Sequence, residues 1–278
     1  MTLQNFTLDR SIFNRELYTR INDLWFADIA NDASAGSVPA LKKWFGMGSE
    51  AEKTAFDDQC STVARKALDS ISPQKLTLPP FESHEADEQI ATSLSGPLLQ
   101  EVKQAQEQSE KDGADTLLAL TLLLDQMPRN LFRTQDTLPL VYNHYDRLSL
   151  ALCKSSMWLS PVPSDYSGYA LRPVKQQWYY LPLIHSESLS DHERWDKLYQ
   201  DQRSRVVDAG YDGAVQYLKA GYDSEQKHVE AIRRFGRYPH RNECLGRETT
   251  PAEEEYLATA ETFGVKQSKK KETTKDEL

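Results

Sequence analysis

No run of about 18 apolar residues occurs, so the sequence predicts no membrane-spanning helix and no membrane partner. The opening residues, Met1 to Arg10, lack the basic and then apolar pattern of a secretory leader, and none is expected. Cysteine is scarce. Cys60, Cys153 and Cys244 are odd in number and far apart, which suits reduced thiols in a cytoplasmic protein rather than a disulfide framework. No CxxC and no paired Cys/His spacing supports a zinc site, and no cofactor is expected. Positive charge is short too: 33 Lys+Arg against 42 Asp+Glu give a formal net charge of −9, which argues against nucleic acid as a partner. Convincing strand and hairpin patterns are missing as well.

What remains is helical spacing. Phe13, Leu17, Ile21, Leu24 and Trp25 predict an amphipathic helix near 12–28. Trp44-Phe45-Gly46 reads as an aromatic turn. Ser49 and Glu52 form a capping box that opens a helix carrying Phe56, Cys60, Ala64, Leu68 and Ile71 on one face. Two further boxes, Ser190/Glu193 and Thr250/Glu253, predict later helix starts. Residues 72–97 hold four prolines and read as a long exposed connection, followed by a mostly solvated helix over 98–111. Ala114 to Leu124 is apolar nearly all round and should be central, ending or bending before Pro128. The fold class expected is all-α, built from antiparallel helix pairs in one domain over 1–265 with a polar insertion near 72–112. A Lys-rich tail over 266–278 should be disordered.

The most unusual stretch runs from Arg233 to Arg247. It holds five arginines, one histidine and a single acid, a local charge of +4 in an acidic chain. Gly236, Pro239 and Gly246 forbid one continuous helix across it. A turning backbone that presents forked cations suits a carboxylate or phosphate. Two other apolar helices deliver charge at their ends: one into Asp125 and Arg129, the other into His185 and Glu187. If the three stretches converge, Arg237, Arg241 and Arg247, joined by Arg129, hold an anion. His240 or His185 then serves as general acid/base, poised by Glu187 or Asp125. The plainer alternatives are a helix-end pair between Arg129 and Asp125, His185 and Glu187 tying down a turn, and a buried ion-pair network among these arginines and acids. Asp125, His185, Glu187 and His240 are residue types that ligate metals, but the surrounding arginines oppose a cation and no metal is expected.

Four motifs together resemble one family. They are Trp44–Gly46, the stretch Leu122–Arg133 (LLLDQMPRNLFR), the stretch Leu181–Glu187 (LPLIHSE), and Phe235–Arg247 (FGRYPHRNECLGR) followed by Thr250–Glu253 (TPAE). The chain is similar over roughly residues 20–264 to the domain of unknown function 924 family. That resemblance implies a tetratricopeptide-repeat-like array of helix pairs, and no particular activity. It also implies that Asn130 and Asn242 join the binding residues, since every polar motif position is kept. Met127 and Tyr238 stand where the family usually has phenylalanine. Two functional readings follow: a pocket for an anionic small molecule, and a non-catalytic scaffold that binds a partner peptide in a helical groove. The final Lys275-Asp-Glu-Leu278 spells a retention signal, but in a charged tail without a leader it reads as chance or an appended sequence.

Overall fold

The computed structural model describes residues 6–260; the tail expected over 266–278, with its Lys275–Leu278 ending, lies outside them. Among the described residues every regular element is helical. Glu50–Ser70 starts as its capping box predicts: the Ser49 side chain accepts from the Glu52 amide, and the Ser49 amide donates to the Glu52 carboxylate at 2.6 Å. Ser49→Ala should therefore cost about 1 kcal/mol in a denaturant melt. The box at Thr250 forms in the same way ahead of Pro251–Leu257. The one expected at Ser190 does not. That helix, Leu189–Asp208, begins earlier, with Ser188 at its cap and Ser190 hydrogen-bonded to the Ser188 hydroxyl. Asp191 of the expected box is instead drawn inward to Lys154 and Ser186.

The central helix Glu110–Thr121 does not stop before Pro128. It widens into a π turn, Leu122–Gln126, and continues as Met127–Leu131. The Met127 amide reaches back five residues to the Leu122 carbonyl. Proline has no N–H to give and would crowd the carbonyl four residues before it; the wider turn shifts the register so that the chain passes through. A second π turn, Val141–Tyr145, leads into Asp146–Ser156. Such turns occur often at functional sites, and these two carry Asp125 and Tyr142.

The core gathers on an aromatic cluster. Trp178 lies edge-on to both Trp25 and Trp44, with ring centroids 5.0 Å apart in each case, and the Trp44 indole donates to the Trp25 carbonyl at 3.0 Å. Trp44, which ends helix Val38–Trp44 rather than lying in the expected aromatic turn, thus anchors helix Pro173–Ile184, whose C-terminal end delivers His185. Helices Leu189–Asp208 and Asp212–Phe235 form an antiparallel pair, in which His192 meets Glu225 while Trp195 and Tyr199 stack on Tyr222.

Segment 72–112 is less exposed than its composition suggests. It forms helices His84–Gln89, Ala91–Leu94 and Gly96–Gln106, with Leu94, Leu98, Leu99 and Val102 buried. Its acids are taken up by Asp146–Ser156 and beyond: Asp87 holds Arg147, and Glu88 holds Lys154 and Arg194. Paired charges of this kind lie flat on the protein and need not face water.

Candidate functional site

Local chemistry explains how the arginine-rich stretch turns. Helix Asp212–Phe235 ends at Gly236, whose φ of 67° is the left-handed value that glycine adopts without penalty. Pro239–Arg241 makes a single tight turn, and Gly246, at φ 65°, reverses the chain so that the Arg247 amide bonds the Asn242 carbonyl at 2.8 Å. Arg241 is thereby pushed inward, to 7% exposure.

His185, Glu187, Arg241 and Arg247 meet around a cavity of about 90 Å³. Behind His185 lies Asp125, 1% exposed. Its Oδ1 sits 2.8 Å from His185 Nδ1, and its Oδ2 accepts from Gln126 at 2.5 Å. Burial works to raise this carboxyl, but the His185 ring, the Arg129 guanidinium and these hydrogen bonds outweigh it and hold it at about 2. Burial, reinforced by Arg129, lowers the pKa of His185. The pair is therefore a charged carboxylate and a neutral imidazole. A carboxylate only accepts, so Nδ1 carries the ring proton and Nε2 keeps its lone pair for the cavity that the ring lines.

The arginines divide sharply. Arg129 spends its fork on Asp146, at 2.7 and 2.9 Å, and also donates to the Asp125 carbonyl. Arg247 clasps Glu187 at 2.9 and 2.7 Å, while Glu187 also accepts the Tyr238 amide. Although burial opposes it, the bond from Arg247 and the charges of Arg241 and Arg247 hold Glu187 below the usual carboxylate range. Arg237 is bound to Glu253 at 2.7 and 2.9 Å, outside the cavity. Arg241 differs. Its guanidinium lies between the rings of Tyr142 and Tyr238, at 4.3 and 4.6 Å, and Nη2 donates to the neutral His185 carbonyl at 2.9 Å. Its Nε is buried without a partner, and among the described residues no carboxylate comes within ion-pair distance.

The other expected residues sit elsewhere. His240 is buried beside Tyr238, 5.3 Å ring to ring, and does not line the cavity; burial and Arg241 push its pKa well below the ordinary value. Asn130 donates to the Gln126 carbonyl, and Asn242 is buried within the turn, donating to Thr249. Ser186 lines the cavity, but its hydroxyl is committed to the bend: it donates to Asp191, which is ion-paired with Lys154, and accepts the Ser188 amide. Burial raises the Cys244 thiol pKa despite the nearby arginines. Among the described residues no cluster of His, Cys, Asp and Glu has metal-binding geometry.

Sequence reasoning missed one wall. Phe81, His84 and Asp87 come from the supposed insertion, and Tyr142, Asp146, Arg147 and Leu150 from the helix after it. The readable signal was the spacing of Tyr142, Asp146 and Leu150, four apart on one helix face directly after the Arg129 motif.

Comparisons with known proteins agree with this architecture. A solved structure of a protein of unknown function from Agrobacterium tumefaciens is 26% identical, covers 87% of this chain and 97% of its own, and superposes with a TM-score of 0.50. No curated protein matches. A family model described as "Bacterial protein of unknown function (DUF924)" matches residues 21–261. With that match spanning most of its length, the chain belongs to the DUF924 family.

Proposed function

We propose that the cavity binds a small anionic molecule and that His185 exchanges a proton with it. The observation that carries this reading is Arg241: a cationic residue only 7% exposed that, among the described residues, makes no ion pair with a carboxylate, Glu187 feeling its charge while being clasped by Arg247. Burying such a charge is costly unless something compensates it. The two tyrosine rings supply part of that compensation by cation–π attraction; an anionic ligand supplies the rest. Asp125 fixes the tautomer of His185 and stabilises its protonated form, so Nε2 can act as a general base and then return the proton.

This reading narrows the sequence expectation. Of the two histidines offered there, His185 takes the acid/base role, and of the arginines grouped there, Arg241 takes the anion-holding role. A small cavity with charged groups set in a partly apolar wall supports a ligand of this kind over a peptide laid in a long groove. On the same reading the helix pairs form a tetratricopeptide-like array, and the protein works in the cytoplasm with its three cysteines as free thiols.

Thermal shift with a panel of carboxylates and phosphates tests the proposal. The wild type should be stabilised by at least one anion. Arg241→Ala should lose that stabilisation while melting within about 1 kcal/mol of the wild type, because no carboxylate is left stranded. A panel in which no anion distinguishes the two proteins overturns the reading.

A further inference from the structure

We infer that the ligand is a small monocarboxylate with a short apolar body, seated with its carboxylate on the edge of Arg241. This rests on the reading of Arg241 as an anion site and adds the charge, shape and apolar character of the anion.

Charge comes first. The other arginines at the site are saturated by two-point contacts: Arg147 on Asp87 at 2.7 and 2.8 Å, Arg247 on Glu187, and Arg129 on Asp146. Among the described residues that line the cavity, Arg241 is the arginine left without an ion pair, which matches one negative charge on a ligand. A second negative charge would have to lie against Asp87, Asp146 and Glu187, all of which line the same space. Like charges repel strongly where water is scarce. The lone pair of His185 Nε2 adds to that repulsion. Phosphate dianions and dicarboxylates are therefore poor fits.

Shape is the second argument. The rings of Tyr142 and Tyr238 flank the guanidinium of Arg241, so its donors are offered at the edge. A planar two-oxygen group meets a planar fork.

The third is the rest of the wall. Phe81, Leu150, Pro182 and Leu245 present carbon to the cavity, and Arg147 lies over the Phe81 ring at 5.4 Å and steadies it at the rim. At about 90 Å³ the space is well below the roughly 300–1,000 Å³ of pockets for drug-sized ligands. It takes a handful of heavy atoms, and most of those beyond the carboxylate should be carbon.

Calorimetric titration of the full chain at about pH 8, where inorganic phosphate is mostly the dianion, with acetate, propionate, butyrate, isobutyrate, succinate and inorganic phosphate tests this. Affinity should rise about fourfold for each buried methylene from acetate to butyrate, with succinate and phosphate at least about tenfold weaker than butyrate. Arg241→Ala should abolish binding of the whole series. Leu150→Ala, which enlarges the apolar wall without touching a charge, should move the preferred chain length upward, and it keeps the test open if the arginine variant fails to fold. Arg241-dependent binding of phosphate or succinate as tight as that of butyrate, or no effect of chain length, overturns the monocarboxylate class and leaves the anion site standing. Binding of none of the anions overturns both.

Discussion

Replacing Arg129 by alanine should lower the stability of the protein by about 3–5 kcal/mol in a denaturant melt at pH 7. Among the described residues, Arg129 is the cation that pairs with both carboxylates behind the cavity. Its fork holds Asp146, its Nη1 reaches the Asp125 carbonyl at 2.5 Å, and the same nitrogen lies 3.7 Å from Asp125 Oδ1. The carboxylates are 1% and 12% exposed. Removing the guanidinium leaves Asp146 without its cation and Asp125 with only the hydrogen bonds from His185 and Gln126. The pH dependence has a definite sign. The folded pKa of Asp125, about 2, is below its value in an unfolded chain, near 3.9. Its contribution is present in full above that unfolded value and is lost as the pH falls toward 2. The gap between wild type and Arg129→Ala should therefore be widest at neutral pH and narrow below about pH 4. A combined Arg129→Met and Asp125→Asn variant should recover part of the loss, since it removes the stranded charge as well. A loss under about 1 kcal/mol for Arg129→Ala would mean that these carboxylates do not depend on it.

The contrast with Arg241 marks what the sequence could and could not convey. Both residues stand in motifs at the ends of apolar helices, and nothing local distinguishes a paired arginine from one left without a carboxylate. Pairing is decided by partners far along the chain: Asp146 for Arg129, Glu187 for Arg247, Glu253 for Arg237. The Asp125–His185 contact likewise spans 60 residues. Local signals were readable where local physics decides the outcome. The capping boxes at Ser49 and Thr250 formed because their partners are three residues away. The box at Ser190 did not form: the helix starts a residue before it, and Ser190 is bonded to the Ser188 hydroxyl while Asp191 turns in to Lys154. Pro128 was read as an end or a bend of the helix, and the π turn that carries the chain past it depends on tertiary packing. The wall from 72–112 was misjudged for a similar reason: its acids look solvated in sequence, and only Arg147, Lys154 and Arg194 show them to be paired.

Lys154→Met should cost about 3–5 kcal/mol as well, and its consequences should reach the cavity. Lys154 is 4% exposed on a helix that is also buried at Ala151, Leu152, Cys153, Ser155 and Ser156. Its ammonium joins Glu88, at 2.8 Å, to Asp191, at 2.7 Å. Asp191 is fully buried, and its other oxygen accepts the Ser186 hydroxyl at 2.7 Å. Ser186 in turn accepts the Ser188 amide and so closes the bend directly after His185. Methionine fills a similar length of space but leaves Asp191 charged and without a cation. The carboxylate then has to take a proton or draw in water, and either change loosens its hold on Ser186. Anion-induced stabilisation should fall in the same variant even at temperatures where it stays folded, because the bend carrying His185 and Glu187 is no longer fixed. Adding Asp191→Asn should restore part of the stability by removing the stranded charge, while the hydrogen bond from Ser186 can still be accepted by the amide oxygen. Denaturant melts of the single and double variants, each repeated with a saturating anion, measure both effects. Unchanged anion stabilisation in a destabilised Lys154→Met protein would separate this network from the site and confine its role to the fold.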